Sequence, residues 1–191
     1  MKFGICLPIR LDADAGANVR IAKRAEELGY DSVWASDHVV IPEKRAGMFT
    51  NEFHDPFMLL SSIAAGTSRI IIGTSVIILP YRNPLVTAKM AATLDVLSQG
   101  RLIFGVGPGW MREEFEALGV EFESRGRMTD EYIKVIRELW QSERPDFHGD
   151  FVDFSNVGFY PKPLQSPGPP VWVAGASRHA VRRAALLGDG W

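Results

Sequence analysis

The stretch Ile70-Ile71-Ile72-Gly73-Thr74-Ser75-Val76-Ile77-Ile78-Leu79 constrains this chain more than any other. A strand with one wet face alternates apolar and polar side chains, whereas a near-continuous apolar, β-branched run belongs to a strand covered on both faces. Shorter runs repeat the pattern at Phe3-Gly4-Ile5-Cys6-Leu7, Ser32-Val33-Trp34-Ala35-Ser36, Leu102-Ile103-Phe104-Gly105-Val106 and Val171-Trp172-Val173-Ala174. Between them the apolar period becomes helical. Ile21, Ala25 and Leu28 share a face that ends at Gly29, Met90, Leu94 and Leu97 share one closed by Gly100, and Tyr132, Val135, Ile136 and Leu139 form a third. Covered strands joined by helices are parallel strands joined by crossovers, so the expected class is α/β. A closed (β/α)8 barrel and an open doubly wound sheet both satisfy this pattern.

Length adds a constraint. A (β/α)8 barrel of ~250 residues uses about 31 per unit, so 191 residues supply roughly six. If the fold is a barrel, the chain is expected to be a fragment that stops before closure. Gly188-Asp189-Gly190-Trp191 then reads as a loop and the first residue of a sixth strand. Strand edges left open by the first and fifth strands are expected to favour a homodimer. Residues 1–191 read as one domain. Residues 39–56, with Pro42, Gly47, Asn51 and Pro56, read as a long loop, and residues 145–170 as a hairpin and proline-rich linker inserted before the last strand.

Composition excludes several classes. With 46% hydrophobic and 23% charged residues and a net charge of −2, the chain is a globular protein without the basic surplus of a nucleic-acid binder. A lone cysteine, Cys6, rules out a disulfide framework and a multi-cysteine metal site, which makes a reducing cytoplasm the expected compartment. There is neither a signal-peptide start nor a run of ~18 apolar residues, so secretion and membrane spanning are not expected.

Chemistry-bearing residues gather where the strands end. Asp37-His38 directly follows the second strand, and in parallel α/β proteins the ligand lies at the carboxyl ends of the strands. The imidazole can exchange a proton near neutral pH while a nearby carboxylate fixes its tautomer; a loop-capping Asp beside a solvated His is the bland alternative. His54-Asp55-Pro56 offers a two-histidine metal site with His38, but an Asp N-cap with Pro at the first helical position is the stronger reading, and no metal is expected. Gly73-Thr74-Ser75 interrupts the third run with hydroxyls, best read as satisfied core groups beside a bulge. Gly105-Val106-Gly107-Pro108-Gly109-Trp110 opens a helix; Pro108 lacks a donor, so glycines admitting a flat ring fit better than a phosphate cradle, and a tight strand-to-helix turn remains the alternative. Ala174-Gly175-Ala176-Ser177 opens a helix bearing Arg178, His179, Arg182 and Arg183, which favours an anion site over an ordinary Ser-capped basic helix. Together these describe a phosphorylated cofactor with a flat ring.

The ordered set Glu26-Glu27-Leu28-Gly29-Tyr30-Asp31-Ser32-Val33-Trp34, Ser36-Asp37-His38, Gly73-Thr74-Ser75-Val76, Arg82-Asn83-Pro84 and Leu94-Asp95-Val96-Leu97-Ser98-Gln99-Gly100-Arg101-Leu102 resembles the luciferase-like monooxygenase superfamily. Gly105 to Trp110 and Gly188 to Trp191 continue the match in order, and the nearest likeness is to the branch that uses the deazaflavin coenzyme F420. The resemblance implies a (β/α)8 barrel longer than this chain and an oxidoreductase whose activity is expected of the complete barrel. By position it implies that Asp37 contacts the cofactor and His38 transfers a proton. Ser75 and Val76 then form the third-strand bulge, often a non-prolyl cis peptide, behind the ring. Gly107 and Gly109 form the turn beside it, and Ala174, Gly175, Ala176 and Ser177 grip the phosphate. In sugar-phosphate dehydrogenase relatives an acidic Glu follows the fourth-strand turn, where this chain has Trp110. The expected reaction is hydride transfer between F420 and a small organic substrate. An FMN-dependent monooxygenase using dioxygen is the first alternative, and a non-catalytic flavin-binding protein is one of another class.

Overall fold

A computed structural model describes residues 1–8, 16–45 and 53–191. In chain order the strands are β1 (Gly4–Cys6), β2 (Ser32–Ala35), β3 (Ile71–Thr74), β4 (Ile77–Ile78), β5 (Leu102–Gly107), β6 (Phe147–His148), β7 (Asp153–Phe154) and β8 (Val171–Val173). The helices are α1 (Ala17–Glu27), α2 (Pro56–Gly66), α3 (Pro84–Leu97), α4 (Arg112–Leu118), α5 (Arg125–Gln141) and α6 (Arg178–Leu187). Strands β1, β2, β3, β5 and β8 pair in that order, all parallel, with Ile5 opposite Val33, Val33 opposite Ile72, Ile72 opposite Leu102 and Gly105 opposite Trp172. Gly190 then bridges Trp172 in parallel, its carbonyl accepting from Val173 N at 3.0 Å, so the next strand position is begun. This is the α/β barrel arrangement, not closed within these residues.

The side of the strands toward the helices carries the core. Val33, Ile72, Leu102, Phe104, Val106, Val171 and Val173 are buried there against Leu60 and Ile63 of α2, Ala88 and Leu94 of α3, and Ile136 and Leu139 of α5. Trp140 fixes α5 to α3 by donating its indole N–H to Ala88 O at 3.1 Å. The α5 stripe is the one the sequence predicts. On α1 the buried stripe is instead Asn18, Ala22 and Ala25, and Leu28 is exposed; on α3, Leu97 is exposed likewise. Alanines let these helices lie close to their neighbours, and the two leucines fall at the helix ends where the face has turned outward. Gly29 and Gly100 follow at φ +82° and +76°, the left-handed geometry expected after a helix.

On the barrel-interior side, alternate residues carry Trp34 and Trp172, whose rings lie 5.3 Å apart. Gly4 and Gly73 make this possible, since a Cβ at Gly73 would lie 2.3 Å from the Trp34 ring. The third apolar run is two strands rather than one. It breaks after Thr74 at a cis Ser75–Val76 peptide, and β4 then pairs Ile77 and Ile78 with Val106 and Gly107 of β5.

Within residues 39–56, Glu43–Arg45 form a short helical turn, while Gly47 and Asn51 lie outside the described residues. Residues 145–170 hold the antiparallel β6–β7 hairpin, clamped to α5 by Glu131, which accepts from Phe151 N and Val152 N at 2.8 Å each. The linker that follows is anchored by buried Asp95, which accepts from Gln165 N at 2.9 Å. Among the described residues, no helix is long and apolar enough to cross a membrane.

Candidate active site

The loop leaving β2 brings Asp37 and His38 to the carboxyl end of the sheet, and the two side chains part there. Asp37 turns inward, 4% exposed, and accepts from both Arg82 Nη atoms at 2.5 and 2.8 Å and from Ile78 N at 3.0 Å. Arg82 also reaches Asp55 Oδ2 at 3.2 Å. Asp55 is the N-cap of α2, accepting from Phe57 N and Met58 N at 2.9 and 3.1 Å, with Pro56 in the first helical turn. His54 is exposed beside it. His54-Asp55 therefore has the structural form expected, and among the described residues no three His, Cys, Asp or Glu side chains gather as a metal site.

The carboxylate that meets His38 belongs to Glu114, in the first turn of α4. Its Oε2 lies 2.9 Å from His38 Nδ1 and accepts from Tyr81 Oη at 2.9 Å, while Oε1 accepts from Val39 N and Val40 N at 2.6 and 3.2 Å. Burial opposes ionisation of Glu114. The hydrogen bonds from His38, Val39, Tyr81 and Val40 outweigh it and hold the carboxyl below its ordinary range. Burial and the Glu114 carboxylate push the Tyr81 phenol up, so it stays a donor. An ionised Glu114 favours the imidazole tautomer that carries its proton on Nδ1. Phe53 packs edge-on against the imidazole at 4.7 Å, with Trp110 at 6.5 Å.

Sequence reasoning placed Asp37 as the nearby carboxylate and missed Glu114, Tyr81 and Arg82 in these roles. Glu114 does leave a signal: it stands one helical turn after Trp110, between Met111 and Phe115 on the face that the core buries.

The third-strand and fourth-strand turns interlock beside this cluster. Thr74 Oγ1 donates to Gly105 O at 2.7 Å, a satisfied core hydroxyl. A Cβ at Gly105 would stand 1.9 Å from Thr74 O, and one at Gly107 would stand 2.9 Å from Val76 Cγ2. At Gly109, φ is +76° and a Cβ would meet Ile78 and Phe115. The room these glycines leave is thus taken by Thr74, Val76, Ile78 and Phe115.

Two cavities adjoin here. A small one of about 240 Å³ surrounds His38 and is lined by Asp37, Gly109 and Trp110 among others. A larger one of about 830 Å³ runs along the barrel interior, from Phe3 and Ile70 at the amino ends of the strands to Val76 and Ala174 at their carboxyl ends. Ser75 and Val76 line both; Gly107 lines neither. Past Ala174, the exposed residues Gly175, Ala176 and Ser177 lead into α6, whose first turn is capped by Ser177 Oγ accepting from Ala180 N at 3.2 Å. Gly175 O accepts from Trp191 Nε1 at 2.7 Å. Of the arginines expected beside this turn, Arg178 opens α6 and is exposed there, whereas Arg182 and Arg183 are elsewhere. Arg183 is buried against α5, paired with Asp130 and donating to Gly126 O at 3.0 Å. Arg182 lines a separate groove with Asp130 and Lys134. Their positions in the second turn of α6 rotate them away from its amino end.

The sequence profile of the luciferase-like monooxygenase family matches residues 1–191. The F420-dependent glucose-6-phosphate dehydrogenase of Amycolatopsis mediterranei (strain U-32) is 39% identical over 179 residues, 91% of this chain and 51% of its own length. The FMNH2-dependent dimethylsulfone monooxygenase of Pseudomonas putida is 29% identical over 183 residues, 94% of this chain and 49% of its own. The crystal structure of monooxygenase RslO1 from Streptomyces bottropensis aligns with a TM-score of 0.85 at 31% identity, covering 97% of this chain and 57% of that one. The chain thus spans about half the length of the curated relatives it matches here.

Proposed function

Because the chain belongs to the luciferase-like monooxygenase family, we propose that the protein is an oxidoreductase that moves a hydride between the deazaflavin coenzyme F420 and a small organic substrate. The observation that carries the reading is His38, held at Nδ1 by the buried Glu114 carboxylate and set beside the Ser75–Val76 peptide that lines both cavities. A proton-handling imidazole next to a wide apolar cavity is the arrangement that coupled hydride and proton transfer needs.

The residues present fit such a cofactor. At the carboxyl end of the barrel interior, Val76, Trp172 and Ala174 present apolar surface against which a flat tricyclic ring can lie. When bound, a deazaflavin supplies a hydride donor or acceptor that reacts poorly with dioxygen. In this reading Ser75, Val76 and Ala174 hold the ring. Gly175, Ala176 and Ser177 with the start of α6 hold the phosphate, through backbone N–H groups at a helix amino terminus. Gly107 and Gly109 shape the turn beside the ring. Asp37, tied to Arg82, keeps the β2 loop in place at the ring's edge, and His38 exchanges the substrate proton at Nε2. Residues 1–191 act as one barrel domain, the substrate is a small molecule, and a homodimer in the cytoplasm is the expected setting.

The 39% identity to an F420-dependent dehydrogenase supports this choice of cofactor. The 31% identity to a monooxygenase structure and the 29% identity to an FMNH2-dependent monooxygenase support a second reading, FMN with dioxygen as co-substrate. Titrating the whole protein with F420 and with FMN, each followed by its own fluorescence and visible absorption, separates the two. Saturable binding of F420 with a much weaker response to FMN is expected; tight FMN binding without F420 binding transfers the assignment to the second reading.

A further inference from the structure

Between α5 and α6, away from the strands, lies a groove of about 290 Å³. Asp130 and Lys134 line it from α5, one helical turn apart. His179, Arg182, Arg183 and Leu186 line it from α6, at the spacing that puts them on one face. Three full cations therefore share one carboxylate, and that carboxylate is engaged. Arg183 is 7% exposed; its Nε donates to Asp130 Oδ1 and its Nη2 to Gly126 O at 3.0 Å, which fixes the plane of the guanidinium. Among the described residues nothing accepts from its Nη1. A guanidinium this deep keeps little water, so its uncommitted nitrogen is a preorganised place for an acceptor oxygen. Lys134 and Arg182 are exposed, and among the described residues neither has an ion-pair partner. Other surface arginines are paired at 2.7–2.8 Å: Arg24 with Glu27, Arg112 with Glu123 and Arg137 with Asp189.

We propose that this groove binds a small phosphate monoester with an apolar body. A monoester dianion offers three terminal oxygens to Arg183 Nη1, Arg182 and Lys134, and its two charges match the local surplus of cations over Asp130. Asp130, already held by Arg183, repels an incoming anion less than a free carboxylate would. The groove has room for roughly ten water volumes, more than inorganic phosphate fills, and its remaining wall is Leu186 and Leu187. Those two side chains take the apolar body. Bound there, the ligand ties α5 to α6, beside Arg137, which donates to Leu187 O at 3.1 Å. The site is distinct from the turn at Gly175 to Ser177 and is independent of the cofactor the protein uses.

The test titrates phenyl phosphate into the whole protein without F420, at constant ionic strength, and follows its phosphorus-31 chemical shift and linewidth. Saturation on the order of 1 mM is expected in the native protein and in Ala176→Leu, in which the turn before α6 is blocked. Adding Lys134→Gln and Arg182→Gln to Ala176→Leu should weaken binding by at least about tenfold. Both side chains are exposed, so the urea midpoint in chloride should not move. No saturation, saturation lost in Ala176→Leu, or affinity unchanged by the two glutamines overturns the proposal. Inorganic phosphate should bind more weakly, because it leaves the leucines bare; equal affinity overturns the monoester assignment. Phosphate also raises urea midpoints generally, by exclusion from protein surfaces. A rise in phenyl phosphate that is the same with and without the two glutamines is that general effect and counts against the site.

Discussion

His38 Nδ1 lies 2.9 Å from Oε2 of Glu114, across 76 residues of chain and two β/α units. The contact is one strand of a knot: the same carboxylate also receives Val39 N, Val40 N and Tyr81 Oη, so the loop after β2 is wound around a side chain of α4. Orientation of the imidazole and position of its loop are therefore set by one buried charge. Any change to Glu114 should act on proton transfer through His38 before it acts on cofactor binding.

Glu114→Gln keeps the shape and removes the charge. One hydrogen bond to a charged group contributes about 1.5–3 kcal/mol, so turnover should fall about 10- to 100-fold. Cofactor affinity should stay within about threefold, because the proposed ring site is walled by other residues. Steady-state kinetics alongside a cofactor titration reads the split, and equal losses in both would make Glu114 a general structural support.

In the proposed reading, His38→Ala removes the group that exchanges the substrate proton. Turnover should drop by about 10²–10⁴-fold while cofactor affinity changes much less. Equal loss of both would make His38 a binding contact.

Arg82 ties the β2 loop, the turn after β4 and the cap of α2 through Asp37 and Asp55. Arg82→Gln would leave Asp37, 4% exposed, as a buried carboxylate without its ion-pair partner. Breaking such a pair from one side costs about 3–5 kcal/mol. A urea unfolding midpoint lowered accordingly is expected, with Asp37→Asn in the same background restoring part of it because the orphaned charge is gone.

Local patterns carried most of the fold. Continuous apolar runs marked every parallel strand, although β1 and Trp172 of β8 are not covered on both faces within these residues, and the Tyr132–Val135–Ile136–Leu139 stripe marked the buried face of α5. The division of the third run was less visible: Ile77 and Ile78 are as apolar as Ile71 and Ile72, and only Gly73-Thr74-Ser75 hinted at a break. Asp37-His38 and Ser75-Val76, singled out by their places after the second run and within the third, do line one cavity at the carboxyl end of the sheet. Which carboxylate serves His38 was not legible. Sequence proximity favoured Asp37, whereas the partner comes from residue 114 through packing that no local pattern encodes. Arg182 and Arg183 misled in a related way, since adjacency to Ser177 does not give a side chain the helix phase that faces the amino end.

The proposed phosphate turn needs a variant chosen from its geometry. Gly175 has φ +118° and its Cβ would stand 2.9 Å from Ala180 Cβ, so a side chain there strains the backbone whatever the ligand. Ala176 is exposed. Ala176→Leu should weaken F420 by at least about tenfold, or about 1.4 kcal/mol, and leave affinity for the unphosphorylated ring fragment unchanged. Equal weakening of both, or of neither, places the phosphate elsewhere.

At the opposite end of the sheet, Glu26 joins α1 to the segment entering β3. Its carboxylate accepts from Ser68 N at 3.0 Å, Arg69 N at 2.6 Å and Ile70 N at 2.8 Å. Burial would raise its pKa, but these three amides and the Arg69 charge bring it from the usual 4.5 down to about 2. A carboxyl whose folded pKa lies below its unfolded one stabilises the fold fully above the unfolded value, and that contribution disappears as the pH falls through the folded value. The window here runs from about pH 4.5 down to about pH 2. Glu26→Gln should lower the urea midpoint at pH 7, and its stability should fall less steeply than the native protein's between those two pH values. Midpoints measured at half-unit steps decide the matter: parallel curves for the two proteins across that window would show that the acid sensitivity comes from other carboxylates.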